Sequence, residues 1–308
     1  MPQPTITTTY AGEFAGQYIA AALLSSPTLD KGLVTVKPNV KYKEVYKTFD
    51  AVGTAGSYLT ADASCDFTPE VTVDLAETIL TVKELQVNLQ LCKTPFKSDW
   101  EAVQMGYSAF DNLPTTFSDF LIGQLAAQVA SNNEQIIWNG ASASAGEYDG
   151  FLGQLTGAVP VTGTTVDATN VIDELGKVVD AIPSALYGKE DLLLYIPQNV
   201  AKAYVRALGG FASIGANGLN NQGTMWYNNA TALSFDGVQL AVADGLPSNT
   251  MVAGLKSQFV FGTGLMNDWN LVKLLDMSDL DGSENVRAIM RFTAGTAVHN
   301  VGQAVLYS

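Results

Sequence analysis

Between Thr116 and Trp138 apolar side chains recur at every fourth position, Phe117, Leu121, Leu125 and Val129, with Phe120, Ile122 and Ile136 beside them. This is the spacing of one helical stripe, and it predicts a long helix over Thr116–Trp138. Thr116 and Asp119 have capping-box spacing, and Asn139-Gly140 supplies residues that tolerate the left-handed conformation at the far end. At ~1.5 Å per residue such a helix spans roughly 34 Å.

The sequence before it has a different period. Val71, Val73 and Leu75 alternate with Thr72 and Asp74, and later Val87, Leu89 and Leu91 alternate with Asn88 and Gln90. Period two means strands with one covered face. Tyr42 to Phe49 goes out and Glu70 to Leu91 comes back, which reads as a long hairpin whose tip, Gly53 to Ser64, consists largely of Gly, Ala, Ser and Thr. The phase changes between Val82 and Leu85, as at a bulge or bend. An isolated hairpin of this length is marginal in water, so it should lie on something, either its own body or a neighbour's. Upstream, residues 10–24 read as a short amphipathic helix and Leu33–Val36 as a short strand stopped by Pro38.

Downstream of the long helix the pattern becomes mixed. Ile172, Leu175, Val179 and Ile182 mark a helix that Pro183 stops. Leu192–Ile196 is a continuous apolar run suited to a central strand covered on both faces, and Gln198–Leu208 reads as another helix. That order makes residues 165–260 a compact α/β subdomain. Between Gly209 and Ala230 lies a long Gly- and Asn-rich loop carrying Met225, Trp226 and Tyr227. Those aromatics either dock the loop on its own domain or present a contact surface. The C-terminal third is rich in strands: Val238–Val242, Phe259–Phe261, Leu271–Leu275, the alternation from Val286 to Ala294, and Gln303–Tyr307.

Composition narrows what this architecture is for. At 308 residues the chain can bury a substantial core, and its formal charge of -14 argues against a nucleic-acid-binding face, which needs clustered Lys and Arg. Five of the sixteen basic residues, Lys31, Lys37, Lys41, Lys43 and Lys47, are nevertheless concentrated before and within the outgoing hairpin limb. Either they protect a solvated strand edge, or they let one copy's arm find another copy's acidic body. Cys65 and Cys92 do not make a disulfide framework, and the N-terminus has neither a basic region nor an apolar core of signal-peptide length. No run reaches the eighteen apolar residues of a membrane helix, and the expectation is a cytoplasmic protein when made.

Motifs for catalysis are scarce. His299 is the one histidine, and no G-x-S-x-G elbow accompanies it. Gly262-Thr263-Gly264 lacks the third glycine of a dinucleotide fingerprint, and no phosphate-loop G-x-x-x-x-G-K occurs. Asp276, Asp279, Asp281 and Glu284 cluster before a strand, out of EF-hand order, and read better as an exposed Asp-Gly turn than as a calcium site. The expectation is a protein that is not an enzyme and carries no catalytic, metal or cofactor residues. A hydrolase or a carbohydrate-binding β-protein remains a contrary reading, because carboxylates paired from distant positions are invisible in one sequence.

The order of elements resembles the major capsid proteins of tailed bacteriophages, the Hong Kong 97-type fold, over essentially the whole chain. The stretches that carry the resemblance are ETILTVKELQVNLQLCKTPF, FSDFLIGQLAAQVASNNEQIIWNG with GFLG after it, LLLYIPQNVAKAYVRAL, GVQLAVADGLPSNTMVAGLKSQFVFGTGL and NVRAIMRFTAGTAVHNVGQAVLY. The resemblance implies an α+β fold with an N-terminal arm (1–40), an extended β-hairpin loop (41–92) and a peripheral domain (93–160) with the spine helix 116–138. An axial α/β domain (161–262), returning peripheral strands (263–300) and a terminal strand (301–308) complete it. It implies a self-assembling subunit of pentamers and hexamers in an icosahedral virion head, enclosing double-stranded DNA without sequence-specific binding. A separate scaffolding protein, a portal and decoration proteins are the expected partners, with no membrane and no cofactor. Contacts between copies are expected at Lys43, Tyr46, Lys47, Phe49 and Phe67 of the extended loop, and at Met225, Trp226 and Tyr227 of the axial-domain loop. No cross-link carries over to Lys43 or Lys47. The alternative within the same fold is an encapsulin-type bacterial nanocompartment shell.

Overall fold

The computed structural model describes residues 26–52, 72–92, 115–209, 233–264, 272–277 and 282–308. In chain order its elements are α1 (Pro27–Asp30), β1 (Thr35–Lys37), β2 (Lys43–Val52), β3 (Thr72–Thr81), β4 (Lys83–Cys92), α2 (Thr115–Asn139), α3 (Phe151–Gln154), β5 (Val159–Val161), α4 (Val171–Asp180), β6 (Leu192–Ile196), α5 (Gln198–Gly209), β7 (Ser234–Phe235), β8 (Val238–Val242), β9 (Met251–Leu255), β10 (Phe259–Thr263), β11 (Val272–Asp276), β12 (Asn285–Val298) and β13 (Val305–Tyr307). They fall into two compact units, one of Pro27–Lys83, Glu134–Gly264 and Ala294–Ser308, the other of Met1–Ser26, Glu84–Asn133 and Leu265–Thr293.

The larger unit contains a six-stranded sheet in the order β5-β13-β9-β6-β8-β7. Its centre is β6, parallel to β8 and antiparallel to β9. Each residue from Leu192 to Ile196 is buried, because the two faces of β6 meet different cores. Leu192, Leu194 and Ile196 pack with Val171, Leu175, Val178, Val200 and Tyr204 from α4 and α5. Tyr195 points the other way, where its ring centroid lies 5.0 Å from that of Trp138 and 5.2 Å from that of Phe259, with Phe151 closing the cluster at 5.3 Å from Phe259. A run apolar at every position is what a strand with two cores requires.

A second sheet in this unit sets β1 parallel to β10, Thr35 opposite Val260, and β10 antiparallel to the end of β12, Phe259 opposite Val298. The ribbon β2–β3 is antiparallel over ten pairs, from Lys43 opposite Thr81 to Val52 opposite Thr72. In the smaller unit β11 pairs antiparallel with the first part of β12, Val272 opposite Met290, and β4 also pairs with β12. Arg287 Nε donates to Gln90 Oε1 at 3.0 Å across that pairing.

Three sequence expectations are corrected. The limb read as one run from Glu70 to Leu91 is two strands interrupted at Val82, and β3 returns along β2 while β4 joins β12. The strand expected at Leu33–Val36 is Thr35–Lys37, since Leu33 and Val34 instead turn their side chains into the interior. The last strand begins at Val305, after a 3₁₀ turn over Val301–Gln303 that follows Asn300 in the left-handed conformation. The helix expected at residues 10–24, the hairpin tip Gly53–Ser64, and the loop with Met225, Trp226 and Tyr227 lie outside the described residues, as do Phe67, Asp279 and Asp281.

Candidate assembly surface

The ribbon leaves the larger unit through a small apolar root. Val40, Leu80, Val82, Val260 and Ala297 form one buried cluster, against which Tyr46 packs. Leu80 comes so close to β10 that a Cβ on Gly262 would stand 2.7 Å from Leu80 Cδ2, so glycine there permits the approach. The N–H of Val82 donates to Tyr42 O at 3.1 Å, where β3 ends.

Two polar contacts brace this root. Lys37 Nζ of β1 lies 3.1 Å from Glu44 Oε1 of β2, and the bond and charge of Glu44 raise the Lys37 pKa. On the same face of β2, Tyr46 meets His299, ring centroids 4.2 Å apart and planes at 53°. Burial, followed by the charge of Glu44, pushes the Tyr46 hydroxyl above its ordinary value, and burial pushes His299 below its own. Both ring nitrogens of His299 are buried without a hydrogen-bond partner among the described residues.

The opposite face of the ribbon is open. Lys43, Val45 and Lys47 of β2 stand opposite Thr81, Ile79 and Glu77 of β3. Val45 is 49% and Ile79 52% exposed, an apolar pair flanked by lysines. Tyr42 is also exposed, with Lys43 Nζ 5.3 Å from its ring centroid. Beside Ile79 and Thr81 opens a cavity of about 370 Å³ floored by Tyr148 and Thr296. Its far wall is fixed by Lys83, whose Nζ donates to Ser142 O at 2.9 Å and Glu147 O at 3.1 Å. Hydrogen bonds from Ser142 hold Asp149 below the ordinary carboxylate range in the same wall.

Of the expected loop residues, Lys43 and Lys47 therefore line the open face and Tyr46 the buried one. Phe49 lies on β2 opposite Leu75. Sequence reasoning missed Val45, Ile79 and Glu44 and weighed His299 only as a triad member, because their grouping depends on strand register and on a pairing far away in sequence. In the α/β part, Tyr187 is exposed beside a second cavity of about 460 Å³ and donates to Asp236 O at 2.8 Å. Among the described residues no group of three or more His, Cys, Asp or Glu could hold a metal ion, and no helix is long and apolar enough to cross a membrane. Cys92, the last residue of β4, is exposed.

No protein-family model matches the chain, and no curated protein matches it in sequence. Solved structures do match. The capsid of the native GTA particle, computed with C5 symmetry, superposes with a TM-score of 0.61 at 13% identity, over 100% of this chain and 95% of that one. A chain of Gordonia phage Cozz gives 0.59 at 12% identity, over 97% and 91%, and one of Mycobacterium phage Cain 0.57 at 13%, over 98% and 95%. The mixed α+β arrangement is thus a phage capsid architecture. More particularly, the chain has the fold of the tailed-phage major capsid proteins that its sequence resembles.

Proposed function

We propose that this chain is the shell-forming subunit of a tailed-phage head, a non-enzymatic protein that assembles into pentamers and hexamers around double-stranded DNA. The observation that carries the reading is the match to a capsid subunit over the whole length of both chains rather than over one shared subdomain. In this reading α2 is the spine helix, the sheet around β6 is the axial domain, and the β2–β3 ribbon is the extended loop that reaches another copy. The ribbon's exposed Val45–Ile79 pair supports that role, since an apolar ridge on a two-stranded ribbon gains by being covered. The net charge of -14 suits a container that confines DNA without gripping it. A separate scaffolding protein, a portal and decoration proteins would complete the virion.

The test is sedimentation and electron microscopy of the purified chain, with and without its ribbon. Because Lys47 stands opposite Glu77, replacing Thr48–Ala76 by a two-residue Asn-Gly turn preserves the root pairs while deleting the arm. The native chain is expected to form closed shells and the shortened one to remain as folded subunits. A native chain that stays monomeric with the scaffolding protein present, or shortened chains that form normal shells, would overturn the reading.

A further inference from the structure

We propose that the contact between Tyr46 and His299, backed by the ion pair of Lys37 with Glu44, is an acid-sensitive latch that clamps the root of the β2–β3 ribbon to the sheet beneath it. The ribbon meets that sheet through few groups. Leu80 and Val82 supply the apolar seat, and the remaining attachments from β2 are Tyr46 on His299 and Glu44 on Lys37. His299 is itself held in place, because its backbone N–H donates to Gln258 O at 2.8 Å just before β10 begins. The ring is therefore a fixed surface on which the ribbon's tyrosine rests.

Burial and the lack of an acceptor among the described residues favour a neutral imidazole on that surface. Among the described residues, the titratable and charged groups facing the root are Lys37 on β1 with Glu44 and Tyr46 on β2; the turn beneath offers the Gln258 carbonyl, already occupied by the His299 N–H. A proton added to the ring would create a cation whose N–H groups meet no acceptor among the described residues, and Glu44, the one carboxylate among those groups, is bonded to Lys37. Such a charge is accommodated by exposing the ring to water, which means separating it from Tyr46. Burial lowers the folded-state pKa of His299, so the clamp is fully present above the ordinary histidine value of about 6.5 and is lost as pH falls through the lower folded value. The device concerns the free subunit and does not require the shell reading.

Hydrogen exchange resolved by peptide, corrected for intrinsic rates, reads the latch directly. Protection of Lys43–Lys47 and Glu77–Thr81 in the native chain is expected to fall at least about tenfold between about pH 7.5 and about pH 5, while Leu192–Ile196 is unchanged. His299→Phe keeps an aromatic surface without a proton and should abolish the fall. Should that ring fail to fit, His299→Gln serves as the second neutral variant. Because His299 is the one histidine, its imidazole proton signal can be titrated without assignment and should give a value below the ordinary one. An equal fall in both neutral variants, no fall in the native chain, or an imidazole titrating at or above the ordinary value would overturn the latch.

Discussion

The indole Nε1–H of Trp138 donates to Thr28 Oγ1 at 2.9 Å, and the same hydroxyl donates to Glu134 Oε1 at 2.5 Å. Glu134 also accepts from the Thr28 N–H at 3.2 Å, so a four-residue helix near the start of the described chain is tied to the last turn of α2. Thr28, Glu134 and Trp138 are all buried. Replacing Thr28 by Val keeps the shape but removes the acceptor of the indole and one donor to a buried carboxylate. The expected cost is about 2–4 kcal/mol, read as a lower urea midpoint by tryptophan fluorescence.

On the proposed shell reading, Ile79 should separate folding from assembly. It is half exposed and faces Val45, so Ile79→Asp removes little from the core of the free subunit. Its melting temperature should stay within about 2 °C of the native value while the yield of shells falls at least about tenfold by sedimentation. A parallel loss of melting temperature and assembly would place Ile79 in the fold instead of the contact.

Gly163 is pressed against the ring of Tyr307, and a Cβ there would overlap the tyrosine Cζ and hydroxyl oxygen. The single proton of that hydroxyl is shared between Thr164 O at 2.8 Å and Glu174 Oε2 at 3.0 Å, so the ring cannot retreat without losing both acceptors. Gly163→Ala should destabilise the chain by about 1–3 kcal/mol in equilibrium unfolding, and Tyr307→Phe should leave the Gly163 contact intact.

Glu174 makes the larger unit sensitive to acid in a different window from His299. Burial pushes its pKa up, but bonds from Lys177, Thr164 and Tyr307 outweigh it and hold the carboxyl below its ordinary value of 4.5. A depressed folded value means stability that is present above the ordinary carboxylate range and lost as pH falls through the folded value. Unfolding free energy should therefore decline below about pH 4.5 in the native chain, and less steeply in Thr164→Val, which removes one of the bonds. Identical slopes would show that Thr164 does not hold the carboxylate.

Where local pattern and burial coincide, the sequence is legible. Leu192–Ile196 and Val238–Val242 stand as strands over the residues that their apolar runs mark, and the four-residue spacing from Phe117 to Val129 lies within α2. The divide at Val82 was legible only as a change of phase; which partner each half takes was not, because the choice between β2 and β12 depends on a strand some two hundred positions away. The same distance hides the root of the ribbon. Leu80 and Val82 face the core while Ile79 between them and the turn is exposed, although all three are equally apolar in sequence. Ser25, Ser26 and Pro27 read as the stop of the helix before them, and nothing local announces that the Thr28 hydroxyl serves a glutamate and a tryptophan on another element.

The pairings of β1 with β10 and of β5 with β13 join strands remote in sequence, and both are parallel. Such closures require large loops to be ordered before their contacts form, which makes folding slow relative to a helical bundle of similar size. A half-folded chain would carry an unpaired β10 edge and an exposed ribbon at the same time, both open to other strands. On the proposed shell reading, the supply of competent subunits would be set by how fast each chain closes its own sheets, and crowding many unfinished chains together would favour aggregation over growth.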